Sequence, residues 1–135
     1  MDKQILVVEA SAGSGKTYAL ARRYLKLLLN ASDRQEEEAL RSILAITFMN
    51  KAAVEMKERI LELLKQLALD TFKTENHKKE LLDYIGLEEK PCREASFRAM
   101  QEIIRRYDYF QVQTIDSFIN SLLLGCAFRL GLSAN

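Results

Sequence analysis

An α/β fold, a parallel sheet with helices on its faces, is what this chain of 135 residues predicts. Three observations predict it. Short β-branched apolar runs alternate with longer stretches of helical spacing. A glycine-rich loop joins the first such run to the first such stretch. Every distinctive motif then falls at the carboxyl end of a strand candidate, which is where open α/β sheets bind ligands.

The elements follow in order. "ILVVEA" (5–10) is apolar without alternation, as a strand covered on both faces would be. Over 15–29 the period changes: Ala19, Leu20, Tyr24, Leu27 and Leu28 recur at helical spacing, with Arg22, Arg23 and Lys26 on the other side. Residues 30–40 are polar and acidic, which predicts a surface connection ending in a short helical turn. "SILAITF" (42–48) is a second strand. From Asn50 an amphipathic helix puts Ala53, Met56, Ile60, Leu63, Leu64 and Leu67 on one face, with Glu55 and Arg59 spaced to pair.

Residues 70–93 are the least regular, with polar loops around a short helix at 78–84. Residues 95–107 are helical by composition, and "YFQVQT" (109–114) alternates as a third strand. A last helix over 117–128 carries Phe118, Ile119, Leu122, Leu123 and Ala127 at helical spacing. The order is β-α-β-α-(α-α)-β-α, a helical insertion at about 70–107 interrupting the alternation. Right-handed crossovers make such an order a parallel sheet.

Composition excludes several classes. A formal charge of +1, from 20 basic and 19 acidic side chains, leaves no basic footprint of a stand-alone nucleic-acid binder. Cys92, Cys126 and the lone His77 do not make a soft-ligand metal site, and the cysteines read as free thiols. No apolar stretch approaches the roughly 20 residues of a membrane span, and the opening "MDKQ" lacks the order of a secretory signal. A cytoplasmic protein with no membrane partner is expected.

"EASAGSGKT" carries the first chemistry. It matches the phosphate-loop pattern G-x-x-x-x-G-K-[ST] except that Ala10 stands at the first glycine. Backbone N–H groups and a helix amino end converge in such a loop, so an anionic tail is held with few side chains. Ala10, Ser11, Ala12, Gly13, Ser14, Gly15, Lys16 and Thr17 are the expected ATP-binding residues. Lys16 supplies a mobile charge and Thr17 a hydroxyl for Mg²⁺, so these two carry the expected catalytic roles. The bland reading is a strand-to-helix turn that uses glycine for geometry alone.

The next motif bears on what the nucleotide drives. "ILAITFMNKAAVEMKERI" fits T-F-x-N-K-A-A-x-E-M-x-x-R-I at Thr47, Phe48, Asn50, Lys51, Ala52, Ala53, Glu55, Met56, Arg59 and Ile60. In this it resembles the UvrD/Rep class of DNA helicases. The alanine-led loop followed by "YLKLLL" is similar to the RecB/AddA branch, the large subunits of helicase-nucleases of the exonuclease V kind. "TIDSFINSLL" resembles that family's T-I-H-S-F-C, with Asp116 in place of the histidine and Ile119 in place of the cysteine.

The resemblance implies a RecA-like P-loop NTPase fold using ATP and Mg²⁺, with residues 1–135 as the N-terminal part of a first motor domain. It implies DNA contacts at Thr47, Phe48, Asn50, Lys51, Thr114, Asp116, Ser117 and Phe118. It further implies work on single- and double-stranded DNA ends in unwinding and double-strand-break repair, beside the remaining domains of the parent and a partner subunit. The plainer readings are that Asn50 and Asp116 cap helices, Thr114 caps its own, and Phe48 and Phe118 fill the core.

Hydrolysis in such motors needs an acidic pair after a strand and an arginine finger. "FQVQTID" is the nearest candidate, but Ser117 follows Asp116 where a glutamate belongs. The expectation is therefore a fragment that binds ATP weakly and DNA poorly and does not unwind alone. Two rivals remain open: a small P-loop kinase using Asp116 with Arg105 and Arg106, and a non-enzymatic P-loop adaptor.

Overall fold

The computed structural model describes residues 15–131. The strand expected over 5–10 and the loop residues 10–14 lie outside the described residues. Helix α1 runs Gly15–Asp33, and a 3₁₀ turn at Ala39–Ser42 leads to strand β1, Leu44–Thr47. Three helices follow: α2 at Asn50–Leu69, α3 at Glu75–Ile85 and α4 at Glu89–Arg105. A second 3₁₀ turn, Tyr107–Tyr109, leads to β2 at Gln111–Thr114, and α5 spans Ile115–Arg129.

β1 and β2 pair in parallel, with Leu44 beside Gln111 and Thr47 beside Thr114. Parallel neighbours cannot be joined by a hairpin, and α2, α3 and α4 form the crossover. The expected mixture of helix with a small parallel sheet is therefore present.

The core lies between α1, α2 and α4. All six α2 positions that share the apolar face in the sequence are buried. They meet Ala21, Leu25 and Leu28 of α1 and Ala95, Ala99 and Ile103 of α4 in one cluster. Each fully buried leucine, such as Leu25 or Leu64, contributes about 1.5–3 kcal/mol relative to exposure.

Four features differ from the sequence expectation. First, 30–33 belongs to α1 and is not a surface connection: Ala31 and Ser32 are buried. Polarity there serves tertiary bonds, since Asn30 donates to the Ile85 carbonyl at 3.0 Å and Ser32 to that of Ala95 at 3.2 Å. Second, α4 starts at Glu89, so "EEKPC" is its first turn and not a loop. Pro91 is tolerated there because first-turn N–H groups have no intrahelical acceptor.

Third, Arg59 pairs with Glu62 at 3.0 Å and not with Glu55. Fourth, Ile119, Leu122 and Leu123 of α5 are exposed among the described residues. The sheet face carrying Val112 lies under α2, while Leu44 and Ile46 on the other face are each 40% exposed. Neither cysteine is bonded: Cys126 is exposed, and burial pushes the Cys92 thiol up to about 11. None of the described helices is long and apolar enough to cross a membrane.

The insertion is fastened by charge. Asp70 ends α2 in a left-handed conformation at φ 54°, and its carboxylate accepts from the Lys78 ammonium at 2.8 Å. Lys78, with 11% of its side chain exposed, also meets Glu89 at the start of α4, and Arg93 joins from the next turn. The hydrogen bond from Lys78 holds the Asp70 carboxyl below its ordinary 3.8, and the same contacts hold the Lys78 ammonium above its ordinary 10.5. A lowered acid contributes stability above 3.8 that is lost as pH falls through its folded value. A raised base contributes stability below 10.5 that is lost as pH rises through its folded value. Urea unfolding across pH is therefore expected to show wild type above Lys78→Met by a constant margin over roughly pH 5–9, narrowing in acid. A margin indifferent to pH would contradict this network.

Candidate functional site

Among the described residues α1 begins at Gly15, so Gly15, Lys16 and Thr17 form its first described turn, and a helix starting there offers unpaired N–H groups and the positive end of its dipole. Gly15 and Lys16 are exposed and Thr17 is half-buried. Lys16 and Thr17 are thus delivered to one helix end, while the rest of the expected cradle, residues 10–14, lies outside the described residues.

Thr17 opens onto a cleft of about 200 Å³ whose far wall is Glu55, Glu58, Arg59 and Glu62 of α2. Carboxylates outnumber the guanidinium there, so the cleft itself repels a polyphosphate. It suits groups that donate hydrogen bonds or carry positive charge.

A second cleft of about 160 Å³ continues from the first, sharing Arg59 and Glu62 and adding Tyr18, Leu63, Gln66, Lys73 and His77. The Tyr18 hydroxyl and His77 Nε2 are 3.3 Å apart. Arg22 lies 5.6 Å from the Tyr18 ring centroid and 4.0 Å from that of Tyr84. The Gln66 side-chain carbonyl is buried without a hydrogen-bond partner. Together the clefts form a groove that leads away from the α1 amino end along α2.

Sequence reasoning missed the outer half of this groove. Tyr18 directly follows the loop motif and was the available signal. His77 and Lys73 sit in the motif-free stretch, where spacing announces nothing.

The second site lies at the carboxyl edge of the sheet. Register places Thr47 beside Thr114, and each strand is followed at once by a helix. The Thr114 hydroxyl accepts from the Ser117 N–H at 3.2 Å and caps α5, as the plainer reading has it. The Thr47 hydroxyl donates to the Met49 carbonyl at 3.3 Å.

The other plain readings fail. Met49, not Asn50, holds the cap position of α2, and Asp116 lies inside the first turn of α5. Phe48 is 87% exposed and is no core residue, while Phe118 is half-buried.

A cleft of about 370 Å³ gathers Asn50, Thr114 and Ser117 with Lys57, Val112 and Gln113 among its walls. Phe48, Lys51, Asp116 and Phe118 do not line it; the first three are exposed nearby in the chain. Lys57 was not foreseen: its ammonium lies 5.2 Å from the Tyr107 centroid and 5.8 Å from that of Phe110. Arg106, one of the arginines a kinase would turn to phosphate, is stacked 4.1 Å from the Tyr109 centroid. Among the described residues no group of three or more His, Cys, Asp or Glu is arranged to hold a metal ion.

Known proteins resemble this sequence over different shares of its length. The model of the UvrD/REP helicase N-terminal domain matches residues 1–135. The RecBCD enzyme subunit RecB of Haemophilus influenzae is 30% identical over 145 residues, covering 98% of this chain and 12% of that protein. An ATP-dependent helicase/nuclease subunit from Bacillus cereus is 38% identical over 76 residues, 56% of this chain and 6% of that one. Its counterpart from Bacillus thuringiensis shows the same values. The chain thus spans at most 12% of the length of these relatives. No solved structure gives a significant match. On the strength of the family match across its whole length, the chain belongs to the UvrD/REP helicase family, within the N-terminal domain.

Proposed function

We propose that the chain forms the ATP-binding portion of a DNA helicase motor of the RecB/AddA kind, with a RecA-like P-loop fold interrupted by a helical insertion at about 70–107. The observation that carries this reading is the double use of α2. One side of that helix faces Thr17 across a cleft, and its amino end meets the strand edge that gathers Asn50, Thr114 and Ser117.

In this reading the amides of residues 10–17 hold the ATP phosphates and Lys16 neutralises charge. Thr17 offers a hydroxyl to Mg²⁺. A hydroxyl is a fitting ligand, since Mg²⁺ takes oxygen ligands and keeps several waters, and the half-buried Thr17 opens onto the cleft beside α2.

Thr47, Asn50, Lys51, Thr114, Asp116, Ser117 and Phe118 flank a DNA strand at the sheet edge, where the Thr114 and Ser117 hydroxyls, the Asn50 amide, the Lys51 ammonium and the amino ends of α2 and α5 supply donors to phosphates. Phe48 stacks on a base, worth about 1–3 kcal/mol. DNA affinity of the chain alone is weak because its charge is only +1. Activation of water is assigned to other parts of the motor, and its proposed partners are DNA ends and a sister subunit.

Two experiments test this. Mg·ATP at millimolar concentration is expected to raise the melting temperature of the chain, because a ligand of the folded state stabilises it. Lys16→Ala is expected to abolish the rise, and equal shifts in the two proteins would refute the loop assignment. In low-salt anisotropy with single-stranded DNA, Phe48→Ala is expected to weaken binding by about 1–3 kcal/mol while changing stability by no more than about 0.5 kcal/mol. Thr114→Ala, which removes the α5 cap, is expected to cost about 1 kcal/mol of stability. A large stability loss in Phe48→Ala would return that ring to a structural role.

A further inference from the structure

Helix α5 buries none of its residues. Its only charged side chains are Asp116 in the first turn and Arg129 in the last, and everything between them is apolar or uncharged. A helix this apolar is ordinarily covered, because exposed leucine and isoleucine side chains keep apolar surface in water.

The two sides of the cylinder are not alike. Ser117, Asn120 and Ser121 interrupt one of them. On the other, Ile115, Ile119, Leu122, Leu123, Cys126 and Leu130 recur at spacings of three and four. All but Ile115 are exposed, Leu123 by 61% and Leu130 by 73%. None of the six lines the cleft that gathers Asn50, Thr114 and Ser117.

The charges at the two ends make this stripe complementary to itself in one orientation. Let a second copy of α5 lie antiparallel to the first, with the twofold axis between Leu122 and Leu123. Ile119 then meets the second copy's Cys126, Ile115 meets its Leu130, and Asp116 stands level with its Arg129. A twofold contact makes each of these meetings twice. The two helix dipoles also run in opposite directions. A parallel copy instead brings Asp116 level with Asp116 and Arg129 level with Arg129, like charges at both ends. Exposed charges of this kind set orientation more than affinity, and the apolar stripe supplies the attraction.

We propose that α5 is a self-association face, on which a second copy of this chain docks antiparallel along the stripe from Ile115 to Leu130. The helix has 15 residues and is about 22 Å long. One face of it falls short of the roughly 800 Å² per partner of a standard interface, so the dimer is reversible. Ser117 lies on the far side of the cylinder, and the cleft at the strand edge stays open in the dimer. The proposal is independent of the nucleotide and DNA readings above.

Sedimentation velocity of the full chain under reducing conditions is expected to show a dimer whose share grows with concentration across the micromolar range. Leu122→Glu combined with Leu123→Glu sets carboxylates at the centre of the contact and is expected to weaken association by roughly tenfold or more. The double variant is expected to keep the melting temperature of the dilute chain, since neither leucine is buried.

Crosslinking reads the register. In the antiparallel pair the two Cys126 residues are about 10 Å apart along the axis, beyond the roughly 4.4–6.8 Å between the Cα atoms of a disulfide. Cys92 is buried. Oxidation with copper phenanthroline is therefore expected to leave the wild-type chain unlinked and to link Ile119→Cys to the second copy's Cys126. Adding Cys126→Ser is expected to remove that product. A chain that stays monomeric at every concentration overturns the proposal, and so does a wild-type chain that crosslinks through Cys126 as fast as Ile119→Cys does.

Discussion

The packing of α2 against α1 and α4 is the constraint on which the rest of the molecule depends. Ala53, Met56, Ile60, Leu63, Leu64 and Leu67 are all buried, and the cluster they share with α1 and α4 includes Ala21, Ala95 and Ala99, whose small side chains let the backbones approach. With one stripe of α2 committed to the core, its rotation is fixed. That fixes which residues remain for other work: Asn50, Val54 and Lys57 turn toward β2, and Glu55, Glu58, Arg59, Glu62 and Gln66 turn toward the start of α1. At 100° per residue these sets lie on different sides of the cylinder, so a single helix serves a core, a sheet edge and the groove that opens at Thr17.

How much of this was legible in the sequence follows from what each element is made of. The α2 stripe was readable because six apolar residues at strict helical spacing leave no other face to bury. β1 and β2 were readable from short β-branched runs, although both prove shorter than the runs suggest. The end of α1 was misread because Asn30 and Ser32 look solvated yet spend their polar groups on carbonyls of α3 and α4. The start of α4 was misread because a proline usually marks a boundary, and Pro91 marks one from the inside.

The sites divide in the same way. Lys16, Thr17, Asn50, Thr114 and Ser117 belong to motifs and could be named in advance. Gln66, His77 and Lys57 could not, because they acquire meaning only from what α3 and the second 3₁₀ turn bring beside them. The insertion is no passive spacer: Lys78 links the end of α2 to the start of α4, and that fastening positions His77 one residue before it against Tyr18.

A helix engaged on three sides has no idle direction in which to yield. Close-packed interiors shift between discrete arrangements more readily than they deform. A tilt of α2 that accommodates an occupant on its glutamate side must therefore carry Asn50 and the β1–α2 junction with it. The cylinder thus acts as a crank, its stiffness tying the glutamate side to the strand edge at Thr47 and Thr114.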